Sequence, residues 1–86
     1  MGWSVRFSAT AGKQLKKLDT KWQSAILDYL EDRVAPEPKK FGKALIGDKA
    51  GMWRYRVGDY RIICEMLDQQ ATIHVLKIGH RKDVYN

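Results

Sequence analysis

One cysteine, two prolines and no long apolar run constrain this 86-residue sequence more than anything it contains. Cys64 has no second cysteine to pair with and stands among Ile62, Ile63 and Met66, so it is expected to be a small buried residue in a reducing compartment, the cytoplasm. No stretch approaches the ~18 apolar residues of a membrane span. Residues 1–10, MGWSVRFSAT, carry Arg6 and lack the apolar centre of a secretion signal, so neither export nor membrane binding is expected. His74, His80 and Cys64 are scattered and no His-Glu-x-x-His occurs, so neither a metal site nor a cofactor is expected. Gly42, Gly47 and Gly51 punctuate a loop without forming a phosphate-cradling G-x-x-x-x-G-K, which disfavours nucleotide hydrolysis. Acidic residues are also in deficit: ten Asp and Glu against sixteen Lys and Arg leave a net charge of +6 and predict an anionic partner, nucleic acid or an acidic protein. At about half the ~150 residues usual for a domain, residues 1–86 read as one domain with one small core. Such a chain buries only about 60 to 65% of its unfolded surface, so a partner that covers part of the remainder is expected.

What is present reads as an α+β chain. Trp3, Val5 and Phe7 alternate with Ser4 and Arg6, the period of a half-buried strand with Arg6 turned from the core. Ser8 is placed to cap a helix that buries Ala11, Leu15 and Leu18 and exposes Lys13, Lys16 and Lys17. Thr20 and Gln23 have the spacing of a capping box for a second helix carrying Trp22, Ile26, Tyr29, Leu30 and Val34, which Pro36 and Pro38 end. Residues 35–50 read as a basic loop with Phe41, Leu45 and Ile46 as anchors.

The most informative segment runs from 52 to 67. Trp53, Tyr55 and Val57 alternate with Arg54 and Arg56, and Gly58-Asp59 then predicts a two-residue type II′ turn. That turn sets Val57 opposite Tyr60, Arg56 opposite Arg61, Tyr55 opposite Ile62, Arg54 opposite Ile63 and Trp53 opposite Cys64. One face then collects Trp53, Tyr55, Val57, Tyr60, Ile62, Cys64 and Met66 for the helices to cover, and the other presents Arg54, Arg56 and Arg61 with Ile63 and Glu65 beyond. After Asp68-Gln69-Gln70, residues 71–78 read as a further strand whose facing the pattern leaves undefined. The predicted fold is an N-terminal strand and a helical hairpin, followed by a mainly antiparallel sheet packed on the two helices.

Arg56 directly opposite Arg61 is unfavourable for folding alone and would be relieved by a polyanion. Three arginines on one sheet face, with no lysine among them, point to forked recognition of phosphate; the competing reading is stems splayed into water or paired with Glu65 and Asp59. Gly79-His80-Arg81-Lys82-Asp83-Val84-Tyr85 adds a second basic and aromatic cluster. Such groups suit RNA cleavage without a metal, in which the 2′-hydroxyl attacks the neighbouring phosphate, cations hold the added charge and the 5′-oxygen leaves with a proton.

Through Gly51-Met52-Trp53-Arg54-Tyr55-Arg56-Val57-Gly58-Asp59-Tyr60-Arg61 and the 79–85 block, the chain resembles the RelE toxins of type II toxin–antitoxin pairs, within the RelE/ParE superfamily. The resemblance spans essentially the whole chain and implies the RelE/ParE-like fold. It also implies a bacterial or archaeal toxin that cuts messenger RNA in the ribosomal A site, without metal, by 2′-hydroxyl attack, and so inhibits translation. The implied partners are the ribosome with its rRNA, the message, and a cognate antitoxin that covers the arginine face or displaces residues 80–86. Arg54 and Arg56 match two basic residues of the family's second strand, Arg61 the arginine after the hairpin, and Arg81 and Tyr85 the C-terminal arginine and tyrosine. Arg56, Arg61, Arg81 and Tyr85 are thereby implied as catalytic, and Arg54, Arg56, Lys82 and His80 as RNA-binding. Arginine is not a proton acceptor, so Tyr85 takes the role of general base, provided that nearby arginines lower its pKa from ~10, and His80 is the runner-up. Two other functions fit the same chain: a ParE-like DNA gyrase inhibitor acting by protein binding, and a basic RNA-binding module without chemistry.

Overall fold

The computed structural model describes residues 2–47 and 51–80. Five strands form one sheet in the order β1-β5-β4-β3-β2: β1 (Ser4–Phe7), β2 (Lys43–Ala44), β3 (Met52–Val57), β4 (Tyr60–Leu67) and β5 (Thr72–His80). β1 runs parallel to β5, and every other neighbouring pair is antiparallel. Between β1 and β2 lie α1 (Ala9–Lys16) and α2 (Thr20–Tyr29). Among the described residues no helix is long and apolar enough to cross a membrane.

Ser8 caps α1 as its position predicts, its Oγ accepting from the Ala11 N–H at 3.0 Å. Thr20 and Gln23 do not form the expected capping box. Asp19 is the N-cap of α2 and makes no side-chain capping bond, while Gln23 Nε2 donates to the Leu18 carbonyl at 2.8 Å. Only residues 17–19 separate the helices, so the unpaired carbonyls at the end of α1 lie within reach of Gln23. α2 then widens into a π-helical turn, Leu30–Val34, closed by the Ala35 N–H donating to the Leu30 carbonyl at 2.8 Å. Pro36, which has no N–H, stops it there. Of the three anchors expected in the following loop, Phe41 and Leu45 are half-buried but Ile46 is 89% exposed. The loop also contributes β2, paired with Arg54 and Trp53 of β3.

The β3–β4 register agrees at each of the five expected pairs, from Val57–Tyr60 to Trp53–Cys64. Gly58 has φ +60° and Asp59 is not in the positive-φ region, as a type II′ turn requires. Glycine is needed here for a second reason, since a Cβ at Gly58 would collide with the Trp22 ring of α2. Tyr60 meets the same indole from the other side of the turn, ring centroids 5.2 Å apart.

β5 extends to His80, two residues beyond the expected strand, and contains the irregularity that hid its facing. Ile63 pairs with Lys77 but Cys64 pairs with Val75, leaving Leu76 as an extra residue. Ile73 and Val75 therefore face the core at the strand's start, whereas Ile78 does so after the bulge. α1 holds this interruption in place: Ser8 Oγ donates to the Leu76 carbonyl at 3.0 Å, and Gln14 Oε1 accepts from the Ile78 N–H at 2.7 Å.

The core lies between the helices and one sheet face, where Ala11, Ile26, Leu30 and Val34 meet Tyr55, Ile62, Cys64, Ile73, Val75 and Ile78. Each large aliphatic side chain so buried contributes about 1.5–3 kcal/mol. Tyr55 is the one phenol in this cluster, and its hydroxyl donates to the Pro38 carbonyl at 2.6 Å, so its polar tip is satisfied. Burial pushes the Cys64 thiol from 9.0 up to about 12, which fits a packing residue and not a nucleophile.

Candidate nucleic-acid interface

The strand alternation that sends Tyr55 and Ile62 into the core sends Arg54, Arg56 and Arg61 to the opposite face of the sheet. There Arg54, Arg56 and Arg61 line one open hollow of about 300 Å³ together with Lys43, Gly42 and Tyr29. Lys43 reaches it because β2 pairs Lys43 with Arg54. Gly42, at φ +72°, allows the close approach: a Cβ would strike the Arg54 carbonyl and the Tyr55 ring.

The three guanidiniums have different surroundings. Arg56 is exposed and Arg54 half-buried, whereas Arg61 is only 8% exposed. Arg61 lies back over the hairpin, its Nη1 donating to the Gly58 carbonyl at 3.4 Å and the Tyr60 carbonyl at 3.3 Å. This arrangement eases the Arg56–Arg61 opposition, since one cation lies along the turn while the other stands in solvent. Arg56 forms no ion pair with Glu65 or Asp59; the Glu65 carboxylate is instead 3.9 Å from His74 Nδ1.

His80 does not join the arginines. Its strand partner is Tyr60, so both lie on the helix side, with rings in a T-shaped contact at 6.0 Å. They line a separate hollow of about 340 Å³ with Gln14, Lys17 and Leu18 of the helical hairpin. The bulge at Leu76 reverses the alternation and places His80 on the face opposite Arg54 and Arg56. Arg81, Lys82 and Tyr85 lie outside the described residues. Tyr29 and Lys43 were missed by the sequence reading, Tyr29 because it fits the apolar spacing of α2 and Lys43 because it is one of several lysines in a loop.

An open hollow lined by three arginines and a lysine has the donors to hold a phosphate. A family model described as the ParE toxin of the type II toxin–antitoxin system, parDE, matches residues 5–85. Toxin RelG of Mycobacterium tuberculosis is 33% identical over 99% of this chain and 98% of its own length. Toxin RelE of the same organism is 28% identical over 96% of this chain and 86% of its own. Among solved structures, the toxin–antitoxin complex RelBE2 of M. tuberculosis superimposes with a TM-score of 0.88 at 31% identity, covering 94% of this chain and 100% of that one. The chain belongs to the RelE/ParE family of toxins of type II toxin–antitoxin systems.

Proposed function

We propose that this toxin is a metal-independent endoribonuclease that cuts messenger RNA in the ribosomal A site. The observation that carries this reading is the convergence of Arg54, Arg56 and Arg61 on one open hollow, away from the core. Attack by the 2′-hydroxyl on the adjacent phosphorus forms the P–O2′ bond and breaks the P–O5′ bond, and the departing 5′-oxygen takes a proton from solvent, leaving a 2′,3′-cyclic phosphate and a 5′-hydroxyl. Arg56 and Arg61, with Arg81, stabilise the extra negative charge on the phosphoryl oxygens. Arg54 and Lys82 hold the strand. Tyr85 takes the 2′-hydroxyl proton, and the position of His80 across the sheet favours this choice over the imidazole. So small a site depends on the ribosome to align the 2′-oxygen for in-line attack. The partner that restrains the toxin is a cognate antitoxin, a reading supported by the toxin–antitoxin complexes among its structural relatives. An acidic segment of it lies over the arginine face.

A ParE-like action on DNA gyrase is favoured by the name of the matching family model and by nothing in the hollow. Expression of the chain, followed by primer extension on ribosome-bound messages and by plasmid supercoiling assays, decides between the two. The expected result is message cleavage within codons with supercoiling intact; loss of supercoiling while translation continues would overturn the proposal.

A further inference from the structure

The arginine hollow has a wall that the cleavage chemistry leaves unused. Tyr29 comes to it from α2, and Lys43 from the two-residue strand β2. The Tyr29 ring is fixed by edge contacts to Phe41, centroids 6.3 Å apart, and to Tyr55, 6.5 Å apart. Its hydroxyl makes no hydrogen bond among the described residues and is not sealed from solvent. Lys43 is exposed and in no ion pair among the described residues, unlike Lys39 and Lys40, which lie against Asp68 and Glu37. A rigid phenol with an open donor, next to an unneutralised ammonium and three guanidiniums, is a second set of phosphate ligands, since a diester offers several acceptor oxygens to donors on more than one side.

We infer that Tyr29 and Lys43 bind the RNA phosphate next to the one that reacts, Tyr29 donating its hydroxyl hydrogen to a non-bridging oxygen and Lys43 supplying charge. The inference rests on the proposed RNA-cleaving function of the same hollow. Burial raises the pKa of Tyr29 from 10.0, opposed by the Arg33 charge one turn away, so the phenol keeps its proton and acts as donor, not base. The role is one of binding, and the effect belongs in substrate affinity more than in the chemical step.

The test uses the full chain and a short RNA with 2′-O-methyl groups, which binds but cannot react. Tyr29→Phe keeps the ring and should weaken binding of this probe about fivefold to tenfold with an unchanged melting temperature. Lys43→Gln should weaken it similarly and lower the slope of log affinity against log salt by about one phosphate contact. In ribosome-dependent cleavage both variants should raise KM and leave kcat within about twofold. Wild-type affinity and KM in both variants, with the wild type cleaving RNA, would overturn this inference alone. Failure of the wild type to cleave ribosome-bound message would overturn the nuclease reading, and this assignment with it; if the wild type cleaves but does not hold the probe off the ribosome, an unchanged KM in both variants overturns this assignment alone.

Discussion

Arg56 and Arg61 face each other across one hairpin and carry the same charge, yet their substitution should differ in kind. Arg56→Ala removes an exposed side chain and should lower cleavage at least ~10²-fold with the melting temperature unchanged. Arg61→Ala should lower cleavage as far but also cost about 1–3 kcal/mol of stability in urea melts, because a mostly buried guanidinium that donates to two turn carbonyls is lost. Equal stability of the two variants would show that the packed position of Arg61 contributes nothing. For the proton, Tyr85→Phe should reduce single-turnover cleavage by about 10²- to 10⁴-fold with ribosome binding retained. His80→Ala should alter cleavage far less and act mainly on packing, since it removes an aromatic contact to Tyr60. The arginines were legible because a two-residue turn dictates which residues share a face. The position of His80 was not, because one extra residue in a strand reverses every facing after it and leaves no mark in composition.

Among the elements, the β3–β4 hairpin depends most on a single residue. Gly58→Ala places a methyl group at φ +60° against the Trp22 ring, so turn strain and a helix–sheet clash act together. A loss of about 2–4 kcal/mol is expected in thermal or urea unfolding. Gly47→Ala, where a Cβ meets open space, should cost less despite its similar φ of +71°. The β5 bulge is an element-scale feature with a different support, the N-cap Ser8 and Gln14 of α1, which bond Leu76 and Ile78. Gln14→Leu should leave the Ile78 N–H without its partner, destabilise by about 1–3 kcal/mol and speed hydrogen exchange at Ile78 before the strand's first half.

The whole molecule rests on a core placed on one side of a single sheet, so its response to alkali reports burial. Cys64 titrates from 9.0 when unfolded and is held at about 12 when folded, because the ionised thiolate would lose its water. A raised pKa means that the folded state keeps a proton the unfolded state releases, so stability is full below about pH 9 and declines as pH rises toward about 12. Melting temperatures across this window should fall, and Cys64→Ala should make the fall shallower; an identical slope would mean that Cys64 is not buried in solution. Native protein should also resist alkylation at pH 8 until denatured. By itself, the sequence determined the order of the strands and helices apart from β2, the hairpin register and the gathering of Arg54, Arg56 and Arg61 on one face, because these depend on local periodicity and turn geometry. Tertiary structure alone decided that Gln23 serves α1, that Arg61 is packed while Arg56 is free in solvent, that Tyr29 and Lys43 join the hollow, and that His80 does not. Each of these depends on which distant segment supplies the neighbour, and a residue's type and spacing carry no record of that.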